Sequence, residues 1–187
     1  MAQDARAKRK EKVIKVLNSA RARELNAIRQ YMNQHYNVDN MDYGDMAAKL
    51  KLIAVDEMRH AEMFADRIKE LDGEPTTEPG EKAIPGQPVE VVFSFDAALE
   101  DTTIAAYNEF LLVCRENGDS TSVKLFEQII DEEQIHYNYF DNVSNHIKNL
   151  DGTYLAQIAG TPSATGLNTM GFVARQGGGG TPGGGAA

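Results

Sequence analysis

The chain has 187 residues, 42% of them hydrophobic, and a formal net charge of −9 at pH 7. That length fits one domain with a substantial core, and the negative charge argues against nucleic acid as the main partner. A single cysteine, Cys114, excludes an intramolecular disulfide and any Cys-x-x-Cys metal site. We predict no membrane span and no signal peptide, and therefore expect a cytoplasmic protein.

Apolar residues at alternating steps of three and four predict four long helices that pack as a bundle. We expect the first helix over about residues 11–37. We expect the second over about residues 42–71, with Asp42 as its capping residue and Gly73 as its stop. Two stripes of apolar residues, each interrupted by one glutamate, mark the buried faces of these two helices.

Prolines and glycines exclude a helix over residues 73–94, and residues 89–95 look extended. The third helix follows and carries Ala97 to Cys114 on its buried stripe. The turn Gly118-Asp119-Ser120 leads into the fourth helix, whose predicted stripe is Phe126, Ile130, Glu133, Tyr137 and Phe140. A short fifth helix is predicted over residues 154–159.

The lengths of the connections predict the topology. The first and second helices, and the third and fourth, are joined by short turns, so each pair is antiparallel. The link at residues 73–94 could stretch roughly 70 Å, which exceeds the length of a helix of about 40 Å, so the second and third helices run parallel. The prediction is an all-α, ferritin-like four-helix bundle with a long crossover and a short fifth helix. We assign residues 1–160 to the bundle and residues 161–187 to a Gly-rich, flexible tail.

One short pattern occurs twice at a constant offset. The order Glu, Tyr, then Glu-x-x-His is repeated 76 positions later: Glu24, Tyr31, Glu57 and His60 in the first copy, and Glu100, Tyr107, Glu133 and His136 in the second. Residues three apart stack on adjacent turns, so each Glu-x-x-His presents a carboxylate and an imidazole on one helical face. The chain is therefore two similar helical hairpins that bring four glutamates and two histidines together.

Four carboxylates on buried stripes require compensation. Each ionised carboxylate in a core costs several kcal/mol, the stripes offer no Lys or Arg at these heights, and protonating all four would need large upward pKa shifts. Two divalent ions balance four carboxylates with both imidazoles neutral, and this ligand set suits iron or manganese. The pattern therefore predicts a two-metal site built from six residues: Glu24, Glu57, His60, Glu100, Glu133 and His136.

Two tyrosines accompany the glutamates. Tyr31 and Tyr107 lie two turns beyond Glu24 and Glu100 on the same faces. One interpretation is ordinary core aromatics whose hydroxyls bond carboxylates. The other is that the hydroxyls orient the metal ligands, with electron donation as a further role. Both interpretations stay open.

Met58 breaks the repeat, because Gln134 stands at the equivalent position. Since it follows Glu57, its side chain points about 100° round the helix from that residue, away from the bundle interior. On the residues alone, this is typical of a methionine at a subunit interface.

Taken together, these motifs resemble the bacterioferritin family over roughly residues 12–160. The resemblance rests on Glu24 with Tyr31, on Asp56-Glu57-Met58-Arg59-His60, on Glu100, and on Glu132-Glu133-x-x-His136. It implies that Glu24 and Glu100 are terminal ligands, Glu57 and Glu133 bridges, and His60 and His136 ligands of separate irons. It also implies a cage of about two dozen subunits built from twofold dimers, which stores ferric mineral.

The resemblance further implies that Met58 from two chains ligates a shared haem or related iron porphyrin. Arg29 and Arg59 stand close to the expected haem face, where they could meet porphyrin carboxylates. The chain departs from some members at Leu52, where those members have a histidine of an inner-surface iron site, although Asp56 remains. That third iron site is therefore in doubt.

We interpret the chain as a ferroxidase that oxidises Fe(II) with O2 or H2O2 for iron storage and detoxification, with an electron-donor protein for iron release. The alternative is a di-iron or di-manganese peroxidase or catalase on the same bundle, although Cys114 alone cannot build the cysteine cluster of a rubrerythrin-like peroxidase. A DNA-coating mini-ferritin is disfavoured, because its sites lie between subunits and here one chain holds the whole ligand set. An inert bundle would have to bury four acids without compensation.

Overall fold

A computed structural model of the chain describes residues 2–161, 171 and 172. It contains five helices, in the order α1 (Ala2–Asn40), α2 (Gly44–Glu70), α3 (Val89–Glu116), α4 (Ser120–Leu150) and α5 (Gly152–Ile158). The predicted all-α bundle with a short fifth helix is confirmed. None of the helices in the described part of the chain combines the length and the apolar composition that a membrane span requires. Most of the predicted Gly-rich tail lies outside the described residues, so the boundary at residue 160 stays a prediction.

The ends of the first two helices differ from the prediction. The expected start near residue 11 is wrong, because α1 begins at Ala2 and its early residues are mostly strong helix formers without Gly or Pro. At the end of α2 the stop is close to the expected place. Asp72 takes a left-handed φ of 57°, and the Gly73 N–H donates to the Ile68 carbonyl over 2.9 Å. A Cβ at position 73 would lie 2.8 Å from the Ile68 side chain, so glycine is required there.

The predicted cap of α2 is wrong. Asp42 has a left-handed φ of 63° in the turn, and Tyr43 precedes the helix without a capping side-chain bond. Thr161 replaces the cap: its carbonyl accepts from the Gly44 N–H over 3.0 Å, and its hydroxyl accepts from the Asp45 N–H over 3.1 Å. The chain beyond α5 thus returns to the N-terminus of α2 and satisfies amides that would otherwise lack partners.

The extended segment predicted for residues 89–95 is also wrong, because α3 begins at Val89 directly after Pro88. The valines there suggested a strand, but Val89, Val92 and Phe93 are buried at helical spacing. The Phe93 ring lies 6.3 Å from the ring of Phe140 on α4. Packing of this face against α4 therefore outweighs the local preference of β-branched residues.

The crossover between α2 and α3 runs along α1 in the same direction as α1. Its hydrogen bonds come in matching order along both segments: Asn18 with the Glu74 carbonyl (3.1 Å), Gly80 with the Ala22 carbonyl (2.9 Å), and Ile84 with the Gln30 side chain (2.7 Å). The crossover therefore delivers α3 to the far end of α1, where Gln34 donates to Asp96 over 2.7 Å. This is the predicted long connection, and it makes α3 antiparallel to α1.

Two apolar clusters occupy the ends of the bundle core. One includes Tyr31, Phe93 and Phe140, and the other includes Phe64 and Phe126. On α4 the predicted stripe is shifted by one residue at two places, since Ile129 and His136 are buried whereas Ile130 and Tyr137 are only partly buried. Between the two clusters lies a polar layer, which holds the candidate site.

Candidate metal centre

Six ionisable side chains meet in this layer, one each from α1 and α3 and two each from α2 and α4. Each is at most 2% exposed. Their ligand atoms form two groups within 4.8 Å: Glu24, Glu57, His60 and Glu133 in one, and Glu57, Glu100, Glu133 and His136 in the other. Glu57 and Glu133 belong to both groups. The arrangement therefore offers two adjacent cation positions that share two carboxylates.

The two histidines face the shared carboxylates in equivalent ways. His60 Nδ1 lies 3.2 Å from Glu57 Oε2 and 3.2 Å from Glu133 Oε1. His136 Nδ1 lies 3.0 Å from Glu133 Oε2 and 3.1 Å from Glu57 Oε1. The two imidazole centroids are 6.0 Å apart. The internal repeat of the sequence thus becomes an approximate twofold symmetry of the site, with each Nδ1 directed at the centre.

The far nitrogen of each imidazole meets an acid that sequence reasoning did not assign to the site. His60 Nε2 lies 3.2 Å from Glu132 Oε2, and His136 Nε2 lies 3.5 Å from Asp56 Oδ2. Asp56 and Glu132 directly precede the two Glu-x-x-His motifs, so an acid before each motif was the available signal. A carboxylate on the outer nitrogen holds the ring in orientation and selects Nδ1 as the metal-binding atom.

The tyrosines connect the two copies of the repeat. The Tyr31 hydroxyl donates to Glu100 Oε1 over 2.5 Å, and the Tyr107 hydroxyl donates to Glu24 Oε1. Each tyrosine bonds the glutamate of the other copy, because α1 and α3 are antiparallel and a residue two turns beyond one glutamate comes level with the other. Both hydroxyls therefore hold a carboxylate in place.

The protonation pattern reflects the crowding of charge. Burial raises the pKa of Glu24 and of Glu100, and the neighbouring Glu133 and Glu57 raise both further. Burial opposes protonation of the two imidazoles, but the adjacent carboxylates hold their pKa well above the ordinary histidine value. Burial also raises the pKa of Glu57, yet the two imidazoles outweigh it and keep that pKa low. Protons thus compensate the shared negative charge in the metal-free protein.

The donor set fits two divalent cations. Within the centre, three buried atoms make imidazole–carboxylate contacts but no hydrogen bond: Glu57 Oε1, Glu133 Oε1 and His136 Nε2. Unpartnered carboxylate oxygens in a core are costly, and a cation between the shared glutamates would satisfy both of them. Carboxylate oxygens combined with imidazole nitrogens suit iron or manganese.

A cavity of about 240 Å³ reaches the site between α1 and α3. Its inner end is formed by the four glutamates of the centre, and residues nearer the surface include Arg23, Asn26, Gly80, Glu81 and Thr103. The Asn26 side-chain oxygen is buried there without a partner. A small cation can therefore approach the carboxylates from this side without passing the histidines.

Met58 lies outside the core, as the helical geometry predicts. Its side chain is 56% exposed and lines a groove between α1 and α2 together with Leu25 and Ile28. Arg59 lines a different cavity, near His60, and donates to Asp56 Oδ1 over 3.3 Å. Arg29 is exposed on α1. The haem contacts of both arginines stay a prediction.

A bundle with this crossover and two cation positions between its four helices defines the ferritin-like class. Residues 14–150 match the Ferritin family, described as a ferritin-like domain. The bacterioferritin of Desulfovibrio desulfuricans is 62% identical over 165 residues, which are 88% of this chain and 92% of that protein. By these comparisons the chain belongs to the bacterioferritin family.

Solved structures agree. An X-ray structure of the D. desulfuricans bacterioferritin, described with its diiron site in different catalytic states, has a TM-score of 0.86 and covers 89% of this chain and 98% of that one. Mycobacterium tuberculosis BfrA is 33% identical with a TM-score of 0.74, covering 79% and 93%. The Rhodobacter capsulatus bacterioferritin is 28% identical with a TM-score of 0.77, covering 81% and 95%. The Rhodobacter structure is described with a metal-free dinuclear site and heme iron in a crystallographic special position.

Proposed function

We propose that this protein stores iron and acts as a ferroxidase at the buried centre. The observation that carries the proposal is the pair of overlapping donor groups, which share Glu57 and Glu133. Within each group the ligand atoms lie within 4.8 Å of one another. The described diiron site of the 62% identical D. desulfuricans bacterioferritin supports iron as the metal. The reaction takes one electron from each of two Fe(II) ions and reduces O2 with two protons to H2O2, or H2O2 with two protons to water.

The proposed ligand roles follow the two donor groups. Glu24 and His60 belong to one cation position, and Glu100 and His136 to the other. Glu57 and Glu133 would be shared by both ions, because each carboxylate faces both imidazoles. These roles agree with those that the family resemblance implies.

The surrounding residues of the chain prepare the site for Fe(II). The tyrosine hydroxyls hold Glu24 and Glu100, and Asp56 and Glu132 hold the imidazoles, so little ordering remains for the moment of binding. The protons on the glutamates and histidines must leave when Fe(II) binds, since ligands bind in deprotonated form. Bound iron supplies the electrons. Burial of all six side chains keeps bulk water from the reacting atoms.

We propose that Met58 is the axial ligand of a haem or related porphyrin shared between two copies, within a cage built from twofold dimers. Its exposure on the α1–α2 groove is what a ligand shared across a twofold axis requires. The described heme iron in a crystallographic special position of the Rhodobacter structure supports this. An electron-donor protein for iron release and a cytoplasmic location stay predictions.

The test is stopped-flow oxidation of Fe(II) by O2. Glu57→Ala and His136→Ala should lose the rapid phase, because each removes a ligand. Met58→Ala is the matched control, which should keep rapid oxidation and lose haem absorbance. Unchanged rates in the two ligand variants would refute the site. Metal content after purification separates iron storage from the manganese catalase alternative.

A further inference from the structure

The two histidine ends of the centre are unequal on the side formed by α2 and α4. At the His136 end, the Asp56 side chain is 0% exposed, whereas at the equivalent His60 end the Glu132 side chain is 24% exposed. The two acids occupy matching positions of the repeat, but their neighbours differ. On its own helix Asp56 accepts from Arg59 over 3.3 Å, whereas Ile135 stands at the position that matches Arg59. Residues beyond the repeat also cover Asp56.

The cover is Gly171 with Phe172, which lie beyond the fifth helix. Phe172 is 3% exposed and packs into the core cluster at this end of the bundle. Its ring centroid lies 5.0 Å from that of Tyr139 and 6.4 Å from that of His136. The Lys49 ammonium lies 5.5 Å from the same ring centroid, within cation–π range.

Gly171 lies directly against the Asp56 carboxylate. A Cβ at position 171 would overlap both Oδ1 and Cγ of Asp56, so only glycine fits while the segment is seated. The backbone of Gly171 thus contacts the acid directly, and the ring of Phe172 packs beside it near Tyr139 and His136. An aquated cation could reach Asp56 only after both had moved, which would return a buried aromatic ring to water.

The His60 end has no such cover among the described residues. A cavity of about 310 Å³ opens there, lined by residues that include Arg59, His60, Gln128 and Glu132. Glu132 lines this opening. One of its oxygens lies 3.2 Å from His60 Nε2, and the other accepts from the Gln128 amide over 3.4 Å. A carboxylate in contact with both solvent and a ligand histidine can attract a cation and pass it inward.

We propose that Gly171 and Phe172 close the His136 end, so that metal cations exchanging across the α2–α4 side pass the His60–Glu132 end. The ligands of the centre are nearly symmetric, but the closure makes its two ends unequal as routes for cations. The inference rests on the proposed function only in that cations occupy the centre. The closure itself is a property of the metal-free protein and is tested there first.

Carboxyl footprinting of the full-length, metal-free protein tests the closure. Carbodiimide with glycine ethyl ester labels accessible carboxylates, and mass spectrometry reads Asp56 and Glu132 separately. Phe172→Ala should raise Asp56 labelling about tenfold or more and leave Glu132 unchanged, because opening no longer exposes a buried ring. Gly171→Ala should do the same without creating a cavity, since the added methyl cannot fit beside Asp56.

Phe110→Ala is the control, because Phe110 is a partly buried aromatic that packs against the other core cluster. It should leave Asp56 unlabelled. The closure is overturned if Asp56 stays protected in both Phe172→Ala and Gly171→Ala. It is equally overturned if Phe110→Ala exposes Asp56 to the same extent, since the effect would then be general loosening.

The rate at which bound Fe(II) is released to ferrozine under argon tests which end of the centre the cations pass. Phe172→Ala should release Fe(II) several-fold faster than the unaltered protein. Glu132→Gln should slow release more in the unaltered background than in Phe172→Ala, which has a second pathway. An equal effect of Glu132→Gln on the release rate with and without Phe172 would overturn the inference. If the unaltered protein binds no Fe(II), the proposed function fails, while footprinting still decides the closure.

Discussion

The bundle buries two polar layers, and they compensate their charges differently. In the metal layer, four glutamates and two histidines lie together, and three of their atoms lack hydrogen-bond partners. In the second, which we call the glutamine layer (Gln30, Gln34, Gln87 and Asp96), a single acid lies next to amides, although Asp96 Oδ2 and Gln34 Oε1 also lack hydrogen-bond partners. Gln34 donates to Asp96 over 2.7 Å and to Gln87 over 2.8 Å. Burial raises the pKa of Asp96, so one proton neutralises it.

This difference distinguishes buried acids that indicate a metal site from buried acids that do not. A lone carboxylate among amides is stable as a neutral acid, and nothing about it requires a cation. Four carboxylates that share two imidazoles cannot all be neutralised by hydrogen bonds from their neighbours. Burial of an acid, even with one unpartnered oxygen, is therefore a weak indicator of metal binding, whereas several acids that face common imidazoles are a strong one.

The largest expected effect separates the layers directly. Glu133→Gln removes a shared carboxylate with almost no change in shape, so it should slow Fe(II) oxidation at least about 100-fold, since loss of an outer partner alone costs 10–100-fold. Metal-dependent stabilisation in thermal unfolding should disappear as well. Retention of both properties in Glu133→Gln would mean that the metal layer behaves like the glutamine layer.

A smaller effect is expected from the tyrosines. Tyr31→Phe frees Glu100 and Tyr107→Phe frees Glu24, so each should lower Fe(II) oxidation about 10-fold by loosening one terminal ligand. Because the pairing crosses between copies of the repeat, Tyr31→Phe should weaken the His136 cation position, and Tyr107→Phe the His60 position. Stepwise Co(II) titration followed by absorption measures each position. Weakening of the opposite position in each variant would contradict the cross-pairing.

The pH dependence of stability gives a third, moderate effect. The pKa values of Glu24, Glu100, His60 and His136 are all raised in the folded, metal-free protein. A group with a raised folded pKa stabilises fully below its unfolded pKa, and this contribution is lost as pH rises through the folded pKa.

Metal-free protein should therefore lose stability as pH rises above about 4.3, where unfolded glutamates ionise, and further above about 6.5, where unfolded histidines lose their proton. Divalent cation should reverse the trend, since the deprotonated ligands then bind metal. Calorimetry across this range, with and without Mn(II), measures both curves. A metal-free Tm that rises with pH would contradict the assigned protonation.

The smallest effect belongs to the glutamine layer. Asp96→Asn keeps the size of the side chain and an acceptor for Gln34, so Fe(II) oxidation should stay within about twofold and stability within roughly 1 kcal/mol. Asp96→Ala leaves the Gln34 amide without its partner and should cost roughly 1–3 kcal/mol in the free energy of unfolding, measured with denaturant. A loss of oxidation in Asp96→Asn comparable to that of Glu133→Gln would remove the distinction between the layers.

The spacing of residues along the sequence was enough to predict the six residues of the candidate site. The constant offset between the two copies identified the six residues that the structure brings together, because helical periodicity alone places them on buried faces. Asp56 and Glu132 were missed as site residues, since an acid beside another acid is usual on a solvated surface. The crossed tyrosine pairing depends on the antiparallel register of α1 and α3, which only the crossover sets.

Two further differences have tertiary causes. The segment starting at Val89 is helical because one of its faces packs against α4, which its β-branched composition does not indicate. Phe172 lies beyond the fifth helix, where glycines and threonines interrupt the apolar residues, so no periodic pattern marks its burial.

The crossover has one more consequence. Gly80 and Glu81 belong to it and also form part of the mouth of the cavity that leads to the glutamates. The crossover, which determines the direction of the third helix, thus also forms part of the rim of the cavity through which a cation can approach the glutamates. Substitutions in this rim can therefore change how readily a cation reaches the glutamates, while the metal ligands and the bundle remain as they are.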